Sequence, residues 1–427
     1  MDLFDAVRAA QEEHRVPGVA VGVLADGDER HEGFGVTSVD NPLEVTPDTL
    51  FQIGSISKTF TGTVAMYLVA EGKLELDRPV REYVPELELA DADAAARVTM
   101  CHLLSHTGGW IGDYFDDTGW GDDAVAQYVS RMRTLPQQTP VGELWAYNNA
   151  GFALAGRVIE VVAGHPFEDV VRERVFEPLE LTSSTYWPWE VMTRRFAVGH
   201  MSHDGKVAVA RPWPVGRSAH PAGGIASTTR DLLRYARLHL DPPPELAPMQ
   251  EPQAEAGDEG RWVGLTWYGE KAFGTIGHGG GTMGQLSQLV LQPSTGFALA
   301  VVTNGSPGGL QVIDAALGAA GLKKPDPEPI AGAPVERYAA TYEMPGSRMT
   351  FTAAGDGMRV DTEDLGGFPT PDTPPGPNPP PYEIFFFTED RWRVGDGPYK
   401  GMAGQFIRDE AGDVVWLRAG GRLARRI

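Results

Sequence analysis

Apolar positions recur at helical and at extended periods along the chain, and the changes of period divide it. Residues 3–14 set Leu3, Phe4, Val7 and Ala10 at helical spacing and predict a helix. Residues 18–38 predict a hairpin: Gly18 to Leu24 is apolar, Asp26-Gly27 is a turn signal, and Gly33-Phe34-Gly35-Val36 follows. Residues 55–71 predict a long apolar helix closed by Gly72. Pro85, Gly108-Gly109, Pro140, Pro178, Pro212 and Pro214 then break the middle of the chain into helices and loops. Extended patterns return at Val263 to Gly269, Thr275 to Gly277, Gly284 to Leu291 and Gly296 to Thr303, predicted as neighbouring antiparallel strands before a helix at about 308–322.

This order predicts an α+β, multi-domain protein: an antiparallel β-sheet flanked by helices plus an all-helical lobe, within residues 1–325. The sheet lobe takes about 1–60 and 220–325, and the helical lobe about 61–219. Asp326-Pro327-Glu328-Pro329 marks a linker, assigned to residues 326–332. From 333 to 427 the pattern changes to short strands and turns (Arg337 to Tyr342, Met349 to Thr352, Glu383 to Thr388, Val414 to Arg418), which predicts a separate small β-barrel or sandwich. Inside it, residues 369–381 hold eight prolines in thirteen positions, so extended polyproline II is expected there. A stiff surface loop is the simpler reading of that stretch, and a docking segment the other.

Composition narrows the partners. The chain has 427 residues, 42% of them hydrophobic, with a net charge of −22. Such a surface repels nucleic acid and anionic lipid, so neither is expected as a partner. Lysine is scarce, 7 against 29 arginines, so a lysine in a chemical setting stands out. The single cysteine, Cys101, allows no internal disulfide and is read as a small buried hydrophobe. The N-terminus lacks a basic segment followed by an apolar run, and no stretch approaches the roughly 18 apolar residues of a membrane span. A cytoplasmic protein is predicted, an export signal ahead of this sequence being the alternative.

Three short segments carry candidate chemistry. In Gly54-Ser55-Ile56-Ser57-Lys58, Ser55 lies at the start of the apolar helix and Lys58 falls on the same helical face. A serine hydroxyl needs an adjacent base, and a lysine serves only if burial or a nearby cation lowers its pKa. Free N–H groups at a helix start can hold a developing oxyanion. Taken alone, Ser55 reads equally as an N-cap and Lys58 as a surface lysine. In Trp145-Ala146-Tyr147-Asn148-Asn149, Tyr147 and Asn149 are two apart and can face one cleft. A cationic lysine nearby would favour the Tyr147 phenolate, and Asn149 would hold Lys58 or a substrate carbonyl. Without the Ser55/Lys58 pair, a buried tyrosine and a turn asparagine would be the better reading. In Gly277-His278-Gly279-Gly280-Gly281, glycines let a substrate backbone approach, and His278 can bond the tyrosine or the substrate, or simply sit in a β-turn. His102 and His106 have helical spacing but no glutamate between them in the metalloprotease pattern, so no metal and no cofactor are predicted.

Ser-x-x-Lys, Tyr-x-Asn and His-Gly-Gly in this order resemble the penicillin-recognising serine enzymes, in the branch of class C β-lactamases, family VIII esterases, D-aminopeptidases and peptide-cyclising thioesterases. Leu50-Phe51-Gln52-Ile53-Gly54-Ser55, His102-Leu103-Leu104-Ser105-His106-Thr107-Gly108-Gly109 and Ala222-Gly223-Gly224-Ile225-Ala226-Ser227 resemble the same group, over about residues 5–322. The tail resembles the lipocalin-like domain that some members carry. The resemblance implies Ser55 as nucleophile, Lys58 and Tyr147 as proton-handling groups, Asn149 as a partner of Lys58 or substrate, and the N–H groups of Ser55 and Gly281 as the oxyanion hole. His278 stands where β-lactamases have the lysine of Lys-Thr-Gly, which lowers the expectation of true β-lactamase activity.

The loop after Gly108-Gly109 is expected along the cleft wall, with Trp110, Tyr114 and Phe115 as an apolar acyl pocket and Asp113 among aspartates that would favour a substrate amine. A solvated acidic loop is the simpler reading. Gly279 and Gly280 are expected to line the substrate path. The leading expectation is a serine hydrolase acting on a small-molecule or peptide ester or amide, most simply a carboxylesterase. A D-specific amidase or peptidase, or a peptide transacylase, is the alternative, and a β-lactamase or a non-catalytic scaffold stands behind them. Nothing in the sequence sets an oligomeric state.

Overall fold

The computed structural model describes residues 2–203, 205–257, 260–367, 370–397 and 399–427. Among these, eight strands form one antiparallel sheet. Asp28–Gly35 forms one edge and Gly18–Ala25 lies beside it; Phe297–Thr303, Leu286–Gln292, Thr275–Gly281, Tyr268–Glu270, Arg261–Val263 and Ala254–Glu255 follow in that order to the other edge. Gly18–Ala25 is buried on both faces, which is why it reads as an unbroken apolar run rather than an alternating one.

The alternation divides that strand between two cores. Val19, Val21 and Val23 pack with Leu299, Val301 and the helices Leu3–Glu13 and Gly309–Ala319. Ala20 and Leu24 face the larger core, with Phe60, Leu232 and Tyr235. The helix Ser57–Ala70 runs through this larger core, and because it is apolar on nearly every side it is buried on nearly every side. Asn149–Ala163 packs against it, and the helical elements between Val80 and Val191 surround the pair.

After residue 326 the chain closes into an eight-stranded barrel, from Ala340–Met344 to Arg422–Arg426, whose first and last strands pair at Tyr342 and Arg426. Of the barrel and the sandwich, the barrel is what forms. Inward side chains Tyr338, Tyr342, Phe351, Phe386, Trp392 and Phe406 fill its interior.

Several boundaries differ from the sequence reading. Val263 to Gly269 is two short strands with Leu265–Trp267 turning between them. Arg337 and Tyr338 belong to a short helix rather than to the first barrel strand. Strand Thr275–Gly281 continues through His278 and all three glycines, so that segment is a ladder and not a turn. Pro369 lies outside the described residues; Pro371 to Pro381 carry no regular hydrogen-bonded structure before strand Tyr382–Phe386 begins. No described helix is long and apolar enough to cross a membrane.

Candidate active site

Three elements meet at Ser55. The residue sits in the helical turn Gly54–Ile56 that opens Ser57–Ala70. Gly54 takes φ +50°, and a Cβ there would lie 2.6 Å from the Gly281 nitrogen. A Cβ on Gly280 would fall 1.9 Å from the Ile53 carbonyl oxygen. The glycine run therefore exists so that the strand edge can lie directly against the turn bearing Ser55.

Lys58, one turn into the helix, is completely buried. Its Nζ lies 3.2 Å from Ser55 Oγ, 2.7 Å from Asn149 Oδ1 and 2.5 Å from the Ala222 carbonyl oxygen. Burial holds its pKa well below the usual lysine value, Arg422 pushes it further down, and Asp113 opposes.

Asn149 opens the helix Asn149–Ala163, capped by Asn148, whose Oδ1 accepts from the Gly151 N–H. The Asn149 amide points its oxygen at Lys58, and its Nδ2 donates to Asp113 Oδ1 at 2.7 Å. Asp113 Oδ2 accepts from Arg422 Nε at 2.8 Å. A polar chain thus runs from Ser55 through Lys58, Asn149 and Asp113 to Arg422.

Tyr147 is bonded to Ser55 through its side chain, and burial pushes its phenol up to about 12 despite the opposing pull of Arg422 and that bond. The expectation of a favoured phenolate is therefore reversed: desolvation outweighs the nearby cations, and Tyr147 is a neutral phenol at pH 7. Its ring lies 4.9 Å from Lys58 Nζ, 4.5 Å from the Arg422 guanidinium carbon and 4.6 Å from the His106 ring. His106, buried and at φ +59°, accepts the Asn148 N–H on Nδ1 and so fixes the backbone between Tyr147 and Asn149.

His278 is 3% exposed, and its Nδ1 is held 2.5 Å from the Gly279 carbonyl oxygen. Burial first, then the Lys58 charge, pull its pKa down to about 3, so it is a neutral imidazole at physiological pH. Its Nε2 has no hydrogen-bond partner among the described residues, so the expected bond to Tyr147 is not made; the two ring centres are 6.5 Å apart.

The loop after Gly108-Gly109 departs from expectation. Trp110 is 1% exposed in the core of the helical lobe and unavailable to a substrate. Tyr114 donates to Asp116 and packs on Tyr128. Ile111, Gly112 and Asp113 line the space beside Tyr147, instead of Trp110, Tyr114 and Phe115. The reason is local: Ala150 N–H bonds the Gly112 carbonyl and Asn148 Nδ2 bonds the Trp110 carbonyl, which turns the tryptophan inward. Asp113 does not wait for a substrate amine, since its carboxylate is taken by Asn149 and Arg422.

Arg422 is the residue that the sequence reading missed. It follows Gly420-Gly421, both at positive φ (+55° and +78°), the two-residue turn of a hairpin in which Ala419 faces Arg422. The Tyr147 N–H donates to the Gly421 carbonyl at 2.8 Å, and a Cβ on Gly421 would meet Trp145 at 2.9 Å. The Gly-Gly pair predicts a hairpin; that the hairpin rests on Tyr147, far away in sequence, has no local signal. The resulting cleft, about 1110 Å³, is lined by Ser55, Tyr147, His278, Gly279 to Gly281 and the hairpin.

Known proteins resemble this chain in sequence and in fold. The beta-lactamase family model matches residues 3–323. Penicillin-binding protein 4 of Amycolatopsis lactamdurans is 35% identical over 373 residues, covering 80% of this chain and 96% of its own. The crystal structure of SurE with D-Leu superposes with a TM-score of 0.73 at 25% identity, covering 100% of this chain and 98% of that one. The D-amino acid amidase of Ochrobactrum anthropi SV3, complexed with L-phenylalanine amide, gives a TM-score of 0.63 at 25% identity over 75% of this chain and 99% of that one. On the family match and the 35% identical relative, with the sheet-and-helix fold they share, this chain belongs to the beta-lactamase family of serine hydrolases.

Proposed function

We propose that this protein transfers acyl groups through Ser55, hydrolysing a carboxylic ester or amide. The observation that carries the reading is Lys58: buried, held well below its usual pKa, and 3.2 Å from Ser55 Oγ. A neutral amine has two N–H bonds and one lone pair. Asn149 Oδ1 and the Ala222 carbonyl accept the two N–H bonds, which leaves the lone pair for the Ser55 hydroxyl.

In the proposed cycle Ser55 Oγ bonds the substrate carbonyl carbon while its proton passes to Lys58. The displaced carbonyl electron pair becomes an oxyanion held by the N–H groups of Ser55 and Gly281. Collapse breaks the bond to the leaving group, which takes a proton from Tyr147, and Lys58 replaces that proton. Water, or an amine in a transacylase, then repeats the sequence in reverse. Asn149 orients Lys58, and Asp113 orients Asn149.

A simple carboxylic ester is the leading substrate class. A D-aminoacyl amide or peptide is the second reading, favoured by the two structures at 25% identity, a D-amino acid amidase and SurE with D-Leu. Lactam hydrolysis ranks lower, because His278 is neutral and supplies no cation. The deciding assay is kcat/KM for a nitrophenyl acetate against a D-aminoacyl nitroanilide, with Ser55→Ala as the blank. Ester turnover alone makes the protein an esterase, and anilide turnover makes it an amidase. Turnover of neither above the blank would refute hydrolysis.

A further inference from the structure

The barrel is filled at one end and hollow at the other. Side chains alternate along each strand, so residues two apart share the interior. On Ser347–Ala354 the inward positions run Phe351, Met349, Ser347; on the paired strand they run Val360, Thr362. Bulk falls along this series towards the end that faces the active site. On the closing hairpin Ala419 and Gly420 are small as well. Away from that end the interior is filled by aromatic rings, with Phe351 packed against both Trp392 and Phe406.

The shortfall in volume leaves a cavity of about 330 Å³. Met344, Met349, Tyr382, Met402 and Leu423 give it an apolar barrel wall, and Ile111 and Tyr147 supply the facing wall. It holds on the order of ten groups of water or methylene size. Tyr147 lines both this cavity and the cleft that contains Ser55, and its side chain is bonded to Ser55. A group placed in the barrel mouth is therefore one side chain away from the reacting atoms.

We propose that this cavity is a substrate subsite that takes an apolar chain of about five to eight carbons, so that the preferred substrate carries such a chain next to the bond that is cleaved. The proposal rests on the acyl-transfer reading above and adds the class of substrate. Unbranched chains suit it because three flexible methionines line the wall and adapt to varied shapes.

The test is a series of nitrophenyl esters from acetate to decanoate, on the full chain. Each added methylene that enters the cavity should raise kcat/KM about fourfold, up to the length that fills it. Thr362→Trp fills the cavity and should remove the gain with length while leaving acetate turnover unchanged. Met349→Ala enlarges it and should move the best length to a longer chain, so retained acetate turnover in either variant shows that it has folded. A profile that is flat, or one that neither variant shifts, overturns the subsite while the Ser55 reading stands. If no ester shows turnover dependent on Ser55, the hydrolase reading fails instead. The cavity is then judged by the fluorescence of neutral N-phenyl-1-naphthylamine: enhancement lost in Thr362→Trp supports it, and no enhancement overturns it.

Discussion

Asp113 and Arg422 pull the Lys58 pKa in opposite directions, and this makes the charge of the base adjustable from outside its burial shell. Consider Asp113→Asn, which keeps the size of the side chain and removes its charge. The path from Lys58 Nζ to the carboxylate crosses two hydrogen bonds of 2.7 Å with the Asn149 amide between them. The charges are thus roughly 7 Å apart, and at an effective dielectric of about 20 their attraction is about 2.4 kcal/mol. Solvent reduces this, since the Asp113 and Arg422 side chains are 17% and 36% exposed. We take about 1 kcal/mol, or roughly 0.7 of a pH unit.

The sign follows from the loss of a neighbouring anion. The ammonium form of Lys58 becomes less favourable, the neutral base persists to lower pH, and the acid limb of kcat/KM moves down by roughly 0.7 unit. Arg422→Gln removes a cation and moves the limb up by a comparable amount. The double variant should lie near the wild type. The assay is kcat/KM for nitrophenyl acetate between about pH 5 and 10, corrected with Ser55→Ala, with thermal unfolding of each variant to confirm folding. Shifts in the same direction, or limbs that move by less than about 0.3 unit in both single variants, would refute this electrostatic account.

Other substitutions test separate parts of the account. Lys58→Ala and Tyr147→Phe should each lower kcat by about 100-fold or more, measured under saturating ester, as expected for positioned proton carriers. Gly280→Ala would force a Cβ to within 1.9 Å of the Ile53 carbonyl and should cost about 3 kcal/mol in urea unfolding together with most of the activity. Gly296→Ala has open space at φ +67° and should cost only about 1 kcal/mol. Cys101→Ser should change turnover little: the thiol is half-buried, near Gln253, and its pKa is raised by burial.

How much of this was legible in the sequence depended on how local each signal was. The helix after Ser55, the hairpin from Gly18 and the strands from Thr275 to Thr303 carry their own periodicity, and their predicted places hold to within a few residues. Ser55, Lys58, Tyr147 and Asn149 were named from spacing and resemblance, and the fold brings their side chains together. Trp110 was misplaced because an aromatic residue beside a glycine pair fits a cleft wall and a core equally well; the bond from Asn148 to its carbonyl decides the matter. Tyr147 was assigned the wrong protonation because proximity to a cation can be read from sequence and desolvation cannot. Arg422 is invisible for a related reason. Its partner Asp113 is 309 positions away, and only the closed barrel brings the two together.

The central claim is an acyl-enzyme on Ser55, and the most direct test is to catch it. The protein would be mixed with a nitrophenyl ester of medium chain length, quenched in acid within milliseconds, digested and weighed by mass spectrometry. The account predicts the mass of the acyl group on the peptide that contains Ser55, appearing with the burst of nitrophenol and absent in Ser55→Ala. Turnover without that adduct, or an adduct on another residue that forms and decays at the rate of turnover, would contradict it.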